Sequence, residues 1–156
     1  MAEPTPRFLA DAMLGKLARW LRVLGYDTAY VQGDDAYVAQ RARAEDRVLL
    51  TRDHELTRRK GLCTLLITSQ KLEVQMAQVI DTFGLPEKGT PRCMVCNAPL
   101  DIISVEEARA HVPIYVAETQ TTFQRCAKCG KIYWQGTHWQ GIEGCLRQAQ
   151  QIAGDE

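Results

Sequence analysis

The chain predicts an α/β fold, a parallel sheet with helices on both faces, followed by a smaller unit held together by cysteines. Three observations carry this expectation. From Arg7 to about Phe83, short apolar runs alternate with helical patterns, the signature of strands joined by helical crossovers. After Pro86 the texture changes to the Pro- and Gly-rich stretch PEKGTPRCMVCNAPL, which marks a boundary. Beyond it, four of the six cysteines stand as two CxxC pairs. The expected units are residues 1–86 and residues 87–156, the second ending in a helical tail from about Glu143.

Each element has a local reason. The first apolar run, FLA at 8–10, ends on a single acid, Asp11. Next comes a helix pattern over 13–24, with Leu14, Leu17, Ala18, Leu21 and Leu24 at core spacing and Gly25 where a helix would stop. Lys16, Arg19 and Arg22 recur on another face of it. The second run, TAYV at 28–31, leads through GDDAYVAQ into a helix over 36–45, and the third, VLLT at 48–51, into one over 54–60. CTLLIT at 63–68 supplies the fourth run, in which Cys63 is expected as a buried core residue. The helix over 70–83 is closed by Gly84 and Pro86. In the second unit IYVAETQTTFQ reads as a strand, and the unpaired Cys145 of the tail receives no role.

Composition sets limits. The 156 residues, 46% of them apolar, suit a globular chain of one domain plus a small appendage. No run of about 18 apolar residues is present, and Met1 to Pro6 lacks the apolar core of a signal peptide. A soluble cytoplasmic protein without a membrane partner is the expectation. Nineteen basic residues balance nineteen acidic ones, so net charge gives no support to a nucleic-acid partner, and any such claim rests on local patches.

Cys93 and Cys96 form one CxxC, and Cys126 and Cys129 the other. Two residues between cysteines let a tight turn present both thiolates to one ion, and two such knuckles complete a closed tetrahedral zinc site. A closed shell leaves no position for water, so the zinc is expected to be structural. His111 and His138 could replace a ligand, yet four thiolates suffice. Around the second knuckle Lys128, Lys131, Tyr133, Trp134, His138 and Trp139 interleave cations and aromatics. Such a cluster can stack bases, and in so small a unit it can equally be the only core.

The acids at the strand ends suggest chemistry. In a doubly wound sheet of order 2-1-3-4, the first and third strands are neighbours, and ligands bind outside their carboxyl ends. Asp11 ends the first strand and Asp53 follows the third, while Asp34 and Asp35 follow the second. Converging carboxylates repel, and magnesium or manganese resolves the repulsion. Such an ion makes hydroxide from water and neutralises charge on a phosphodiester. Taken singly, each acid reads as a helix N-cap, and only the coincidence at three strand ends favours a site. Asp27 and Asp46 read as turn residues. Lys16 and Arg52, nearest the acids, are candidates for phosphate contact, with Arg19 beside them, whereas Arg22, Arg58 and Arg59 fit a solvated face.

RFLADAMLGKLARWLRVLGYDT, DDAYVAQRARAEDRVLLTRDHEL and the four-cysteine ribbon together resemble the small branch of PIN-type nucleases named for the C-terminal RNase domain of a mutator exonuclease. The resemblance implies a PIN-like three-layer α/β/α sandwich over 1–86 with a zinc ribbon over 87–156. It also implies metal-dependent RNase chemistry, with acidic positions at Asp11, Asp35 and Asp53 and Glu55 or Glu73 as the nearby choices for a fourth acid. The expectation is a ribonuclease that binds RNA with help from its ribbon. One alternative is a non-catalytic RNA-binding or ribosome-associated adaptor. Another is a receiver-type phosphoacceptor, for which Thr68 and Lys71 are suggestive but a fifth strand is wanting.

Overall fold

The computed structural model describes residues 5–84 and 91–134. The expected boundary at 86/87, His138, Trp139, Cys145 and the tail from about Glu143 lie outside these residues. The first sheet has four parallel strands: β1 (Phe8–Ala10), β2 (Thr28–Tyr30), β3 (Val48–Thr51) and β4 (Thr64–Leu66). Their order is β2-β1-β3-β4, so β1 and β3 are neighbours as expected. Helices α1 (Gly15–Leu24), α2 (Asp35–Glu45), α3 (His54–Thr57) and α4 (Leu72–Phe83) connect or follow them.

Side-chain alternation along β1 divides the helices between the two faces. Phe8 and Ala10 share a core with Leu17, Ala18 and Leu21 of α1 and Met76, Ala77 and Val79 of α4. Leu9, between them, packs with Val38 and Ala42 of α2 and Leu56 of α3. The result is the expected three-layer sandwich. Phe8 anchors the first face, its ring 4.9 Å from Tyr26 and 5.2 Å from Phe83. At the end of α1, Gly25 takes φ 106°, a left-handed conformation that favours a residue without Cβ, and its N–H closes the helix on the Arg22 carbonyl. Among the described residues no helix is long and apolar enough to cross a membrane.

A second, antiparallel sheet joins β5 (Leu100–Ile103), β6 (Phe123–Cys126) and β7 (Ile132–Trp134) in that order. Between β5 and β6 lie α5 (Val105–Arg109) and α6 (Ile114–Thr119). The strand expected over IYVAETQTTFQ is therefore half wrong, because IYVAET is α6 and only Phe123 onward is strand. Adjacent Val116 and Ala117 are both buried, a pairing that a one-face strand does not allow, and Val116 packs on Ala108 of α5. Cys63 also differs from expectation: it is exposed. It precedes the edge strand β4, and its carbonyl, accepting from Leu49 N at 2.8 Å, joins the ladder while its side chain does not join the core.

Candidate active site

The carboxyl ends of β1, β2 and β3 open on one edge of the first sheet, and each is followed by an acid. Asp11 is buried. Its Oδ1 accepts from Met13 N at 3.2 Å, capping the 3-10 turn that leads into α1, and its Oδ2 accepts from the Thr51 hydroxyl at 2.5 Å. Thr51, the last residue of β3, accepts in turn from Asp53 N at 3.0 Å. One hydroxyl thus ties the acid after β1 to the loop carrying the acid after β3. Asp53 Oδ1 accepts from Glu55 N at 2.9 Å and caps α3. Asp34 caps α2 through Tyr37 N at 2.9 Å, and Asp35, half-buried, is the first residue of that helix.

The capping role expected for single acids is thus real at Asp11, Asp34 and Asp53. It leaves carboxylate oxygen free for other work only in part. Among the described residues the group of metal-ligating side chains gathered closely enough for one ion is the cysteine quartet, not the acids. Of the basic candidates, Lys16 and Arg19 are exposed on α1. Arg52 is half-buried, and its Nε lies buried with no hydrogen-bond partner. Glu55, one choice for a fourth acid, is exposed and pairs loosely with Arg58 at 3.5 Å. For a receiver-type site, the first sheet holds four strands among the described residues, and Thr68 is an exposed residue beyond β4.

At the second sheet, Cys93, Cys96, Cys126 and Cys129 bring one sulfur each within 4.8 Å of every other. Cys93 and Cys129 stand 3.7 Å apart, close to the edge of about 3.8 Å of a tetrahedron built on metal–sulfur bonds of about 2.3 Å. These residues could hold a metal ion such as zinc. Burial pushes the Cys93 thiol up, but hydrogen bonds from the Tyr133 hydroxyl and from backbone N–H groups outweigh it and bring the thiol down to about 7. The Tyr133 hydroxyl is 3.2 Å from Cys93 Sγ and accepts from Met94 N at 3.1 Å. Trp134 packs on Phe123 at 6.5 Å between centroids. Of the two readings open for the aromatic cluster, these two residues follow the core one.

Two residues carry more than their sequence context suggests. Arg22 is buried rather than solvated: its guanidinium donates to Thr28 O at 2.8 Å and Met94 O at 2.6 Å, clamping the first knuckle to the end of α1. Asp27, expected as a turn residue, accepts from Arg47 at 2.8 Å and Asn97 Nδ2 at 2.6 Å. Asn97, one residue after the first CxxC, also accepts from Thr28 N at 2.9 Å. The only signal for this joint is the polar trio Arg22, Asp27 and Asn97 set among apolar neighbours, which names no partner.

The family model described as the Mut7-C RNAse domain matches residues 6–146, which includes both sheets and all four clustered cysteines. Comparison with the curated proteins and with the solved structures returned no match.

Proposed function

Because the chain belongs to the Mut7-C RNAse domain family, we propose that it is a divalent-metal-dependent ribonuclease of PIN type, acting in the cytoplasm, with Asp11, Asp35 and Asp53 as its acidic site. The observation that carries this reading is the Asp11–Thr51–Asp53 chain at the carboxyl ends of two adjacent parallel strands. In an open α/β sheet this edge is where ligands bind. Three aspartates offer the hard oxygen donors that magnesium or manganese prefers, so the donor set fits such an ion. When bound, the ion supplies a hydroxide-like water and neutralises charge on the phosphodiester.

The chain's own residues do the rest. Thr51 fixes the Asp11 carboxylate by donating a hydrogen bond to it, so that Asp11 approaches an ion in one orientation. Asp53 is held by the N-terminus of α3, and Asp35 stands at the first turn of α2 on the far side of Asp11. Arg52 Nε, a buried donor lacking an acceptor, suits a phosphate oxygen, and Lys16 and Arg19 suit the flanking backbone. Residues 1–86 then form the nuclease domain and residues 87–156 a ribbon whose cysteines hold zinc and whose surface assists RNA binding.

The test is cleavage of a mixed RNA pool with manganese by wild type, Asp11→Asn and Asp53→Asn. Each substitution is expected to lower the rate by about 100-fold or more, the scale of losing a group that stabilises transition-state charge. Equal rates in all three proteins would sink the assignment. Metal-independent RNA binding without turnover would favour the adaptor reading.

A further inference from the structure

The joint between α1 and the first knuckle encloses a cleft of about 500 Å³, bounded on one side by Lys16 and Arg19 and on the other by Met94 and Val95. Its volume lies within the ~300–1,000 Å³ range of small-molecule sites. Arg22 forms part of the lining, and Tyr30, at the end of β2, another part. The Tyr30 hydroxyl donates to the Ala12 carbonyl at 2.8 Å, one residue beyond Asp11, so the cleft meets the acidic edge of the sheet.

Charge and exposure are unusual here. Three cations line the cleft and no acid does. Arg22 is spent on the Met94 and Thr28 carbonyls, but Lys16 and Arg19 are exposed and have no carboxylate partner among the described residues. Opposite them Val95 is 62% exposed, a large apolar side chain facing solvent on a knuckle that has little else to bury. Two unpaired cations facing an apolar wall suit a phosphate with a flat apolar body attached, which is the chemistry of a nucleotide unit in a single strand.

We propose that this cleft, built jointly by α1 and the first cysteine knuckle, binds the nucleotide of single-stranded RNA next to the one at the acidic edge, its phosphate on Lys16 and Arg19 and its base against Val95 and Met94. The proposal rests on the ribonuclease reading for its substrate class, and it adds the ribbon-side wall and a specific path. It also gives the ribbon a direct part in substrate binding, through residues of the first knuckle rather than the aromatic cluster of the second.

The experiment is equilibrium binding of a fluorescent single-stranded oligoribonucleotide to the zinc-loaded full chain, without magnesium or manganese, across a salt series. The double variant Lys16→Glu/Arg19→Glu is expected to weaken binding at least about tenfold and to reduce the salt slope by about 1.4, the value for two lost phosphate contacts on a single strand. Val95→Asp is expected to weaken it several-fold with zinc content unchanged. Arg58→Glu/Arg59→Glu, on exposed residues beyond α3, is expected to leave it unaltered. Photocrosslinking with 4-thiouridine should label Met94 or Val95. Wild-type affinity in the α1 variant, wild-type affinity in Val95→Asp, or equal loss in the Arg58/Arg59 control would each overturn the cleft. Wild-type affinity in the α1 variant would also remove Lys16 and Arg19 from the flanking backbone, but the catalytic assignment stands or falls separately, on the loss of manganese-dependent cleavage in Asp11→Asn. Conversely, cleft-dependent binding without any cleavage would uphold the cleft and remove the nuclease.

Discussion

Thr51 shows how one hydroxyl can organise two acids. It donates to Asp11 and accepts from the Asp53 backbone, so replacing it leaves a buried carboxylate and a backbone N–H each short of a partner. Thr51→Val is expected to cost about 1–3 kcal/mol in stability, the penalty of an unsatisfied buried group, measured by urea unfolding. As a residue that positions a metal ligand, it should also lower manganese-dependent cleavage by about 10–100-fold. Thr51→Ser, which keeps the hydroxyl, should restore both; a serine variant as damaged as valine would show that the methyl group, not the hydrogen bond, matters. Asp11 and Asp53 were legible in the sequence because strand ends can be counted. Thr51 was not, since a threonine ending a β-strand fits its propensity and needs no further explanation. Arg22 was misread for a similar reason: every third residue of α1 is basic, and nothing local separates the buried cation from Lys16 and Arg19. Arg22→Ala strands the Thr28 and Met94 carbonyls and should destabilise the chain by on the order of 3 kcal/mol, whereas Arg19→Ala should be nearly neutral in the same unfolding assay.

At the scale of elements, the joint between α1, β2 and the first knuckle depends on a few polar contacts that cross about seventy positions of sequence. Burial pushes the Asp27 carboxyl up, but hydrogen bonds from Arg47 and Asn97 outweigh it and hold the group below its ordinary value of 3.8. A carboxylate depressed in the folded state contributes stability that is fully present above 3.8 and is lost as pH falls through the lower folded value. Urea unfolding followed from neutral pH downward should show Asp27→Asn less stable near neutrality and converging on wild type at the acid end. Parallel curves would mean that Asp27 does not stay charged in the joint. The Thr28 amide offers a finer probe, because its acceptor is Asn97 on the knuckle. Removing the metal should speed exchange of that amide while Leu9 and Leu49, inside the first sheet, stay protected; unchanged exchange at Thr28 would mean that the knuckle holds its shape without metal. The strand–helix alternation of the first eighty residues was readable because each apolar run is bounded by turn residues. The helix α6 was not, because β-branched and aromatic residues favour strands in isolation, and only the docking of Val116 against α5 decides otherwise.

For the whole molecule, the two sheets come from different physics. The first buries apolar strands under helices on both faces, and the second pairs a four-cysteine cluster with a small separate core of Ala108, Val116 and Phe123. The sequence marked this division by its change of texture, and it marked the two CxxC pairs. It could not mark that the ribbon docks beside the α1 face, because docking is a three-dimensional coincidence of Arg22, Asp27 and Asn97. That docking seats the first knuckle against the end of α1 and the start of β2, and the cleft along α1 leads from it toward the acidic edge. Whether the acidic edge holds a catalytic ion decides the chemistry of the whole molecule. The most direct measurement is a crystal structure of the zinc-loaded chain soaked in manganese, with the ion identified by anomalous scattering. Manganese ligated by Asp11 and Asp53, beside Thr51, is the predicted result; zinc in the cysteines with no manganese at the acids under saturating conditions would contradict it.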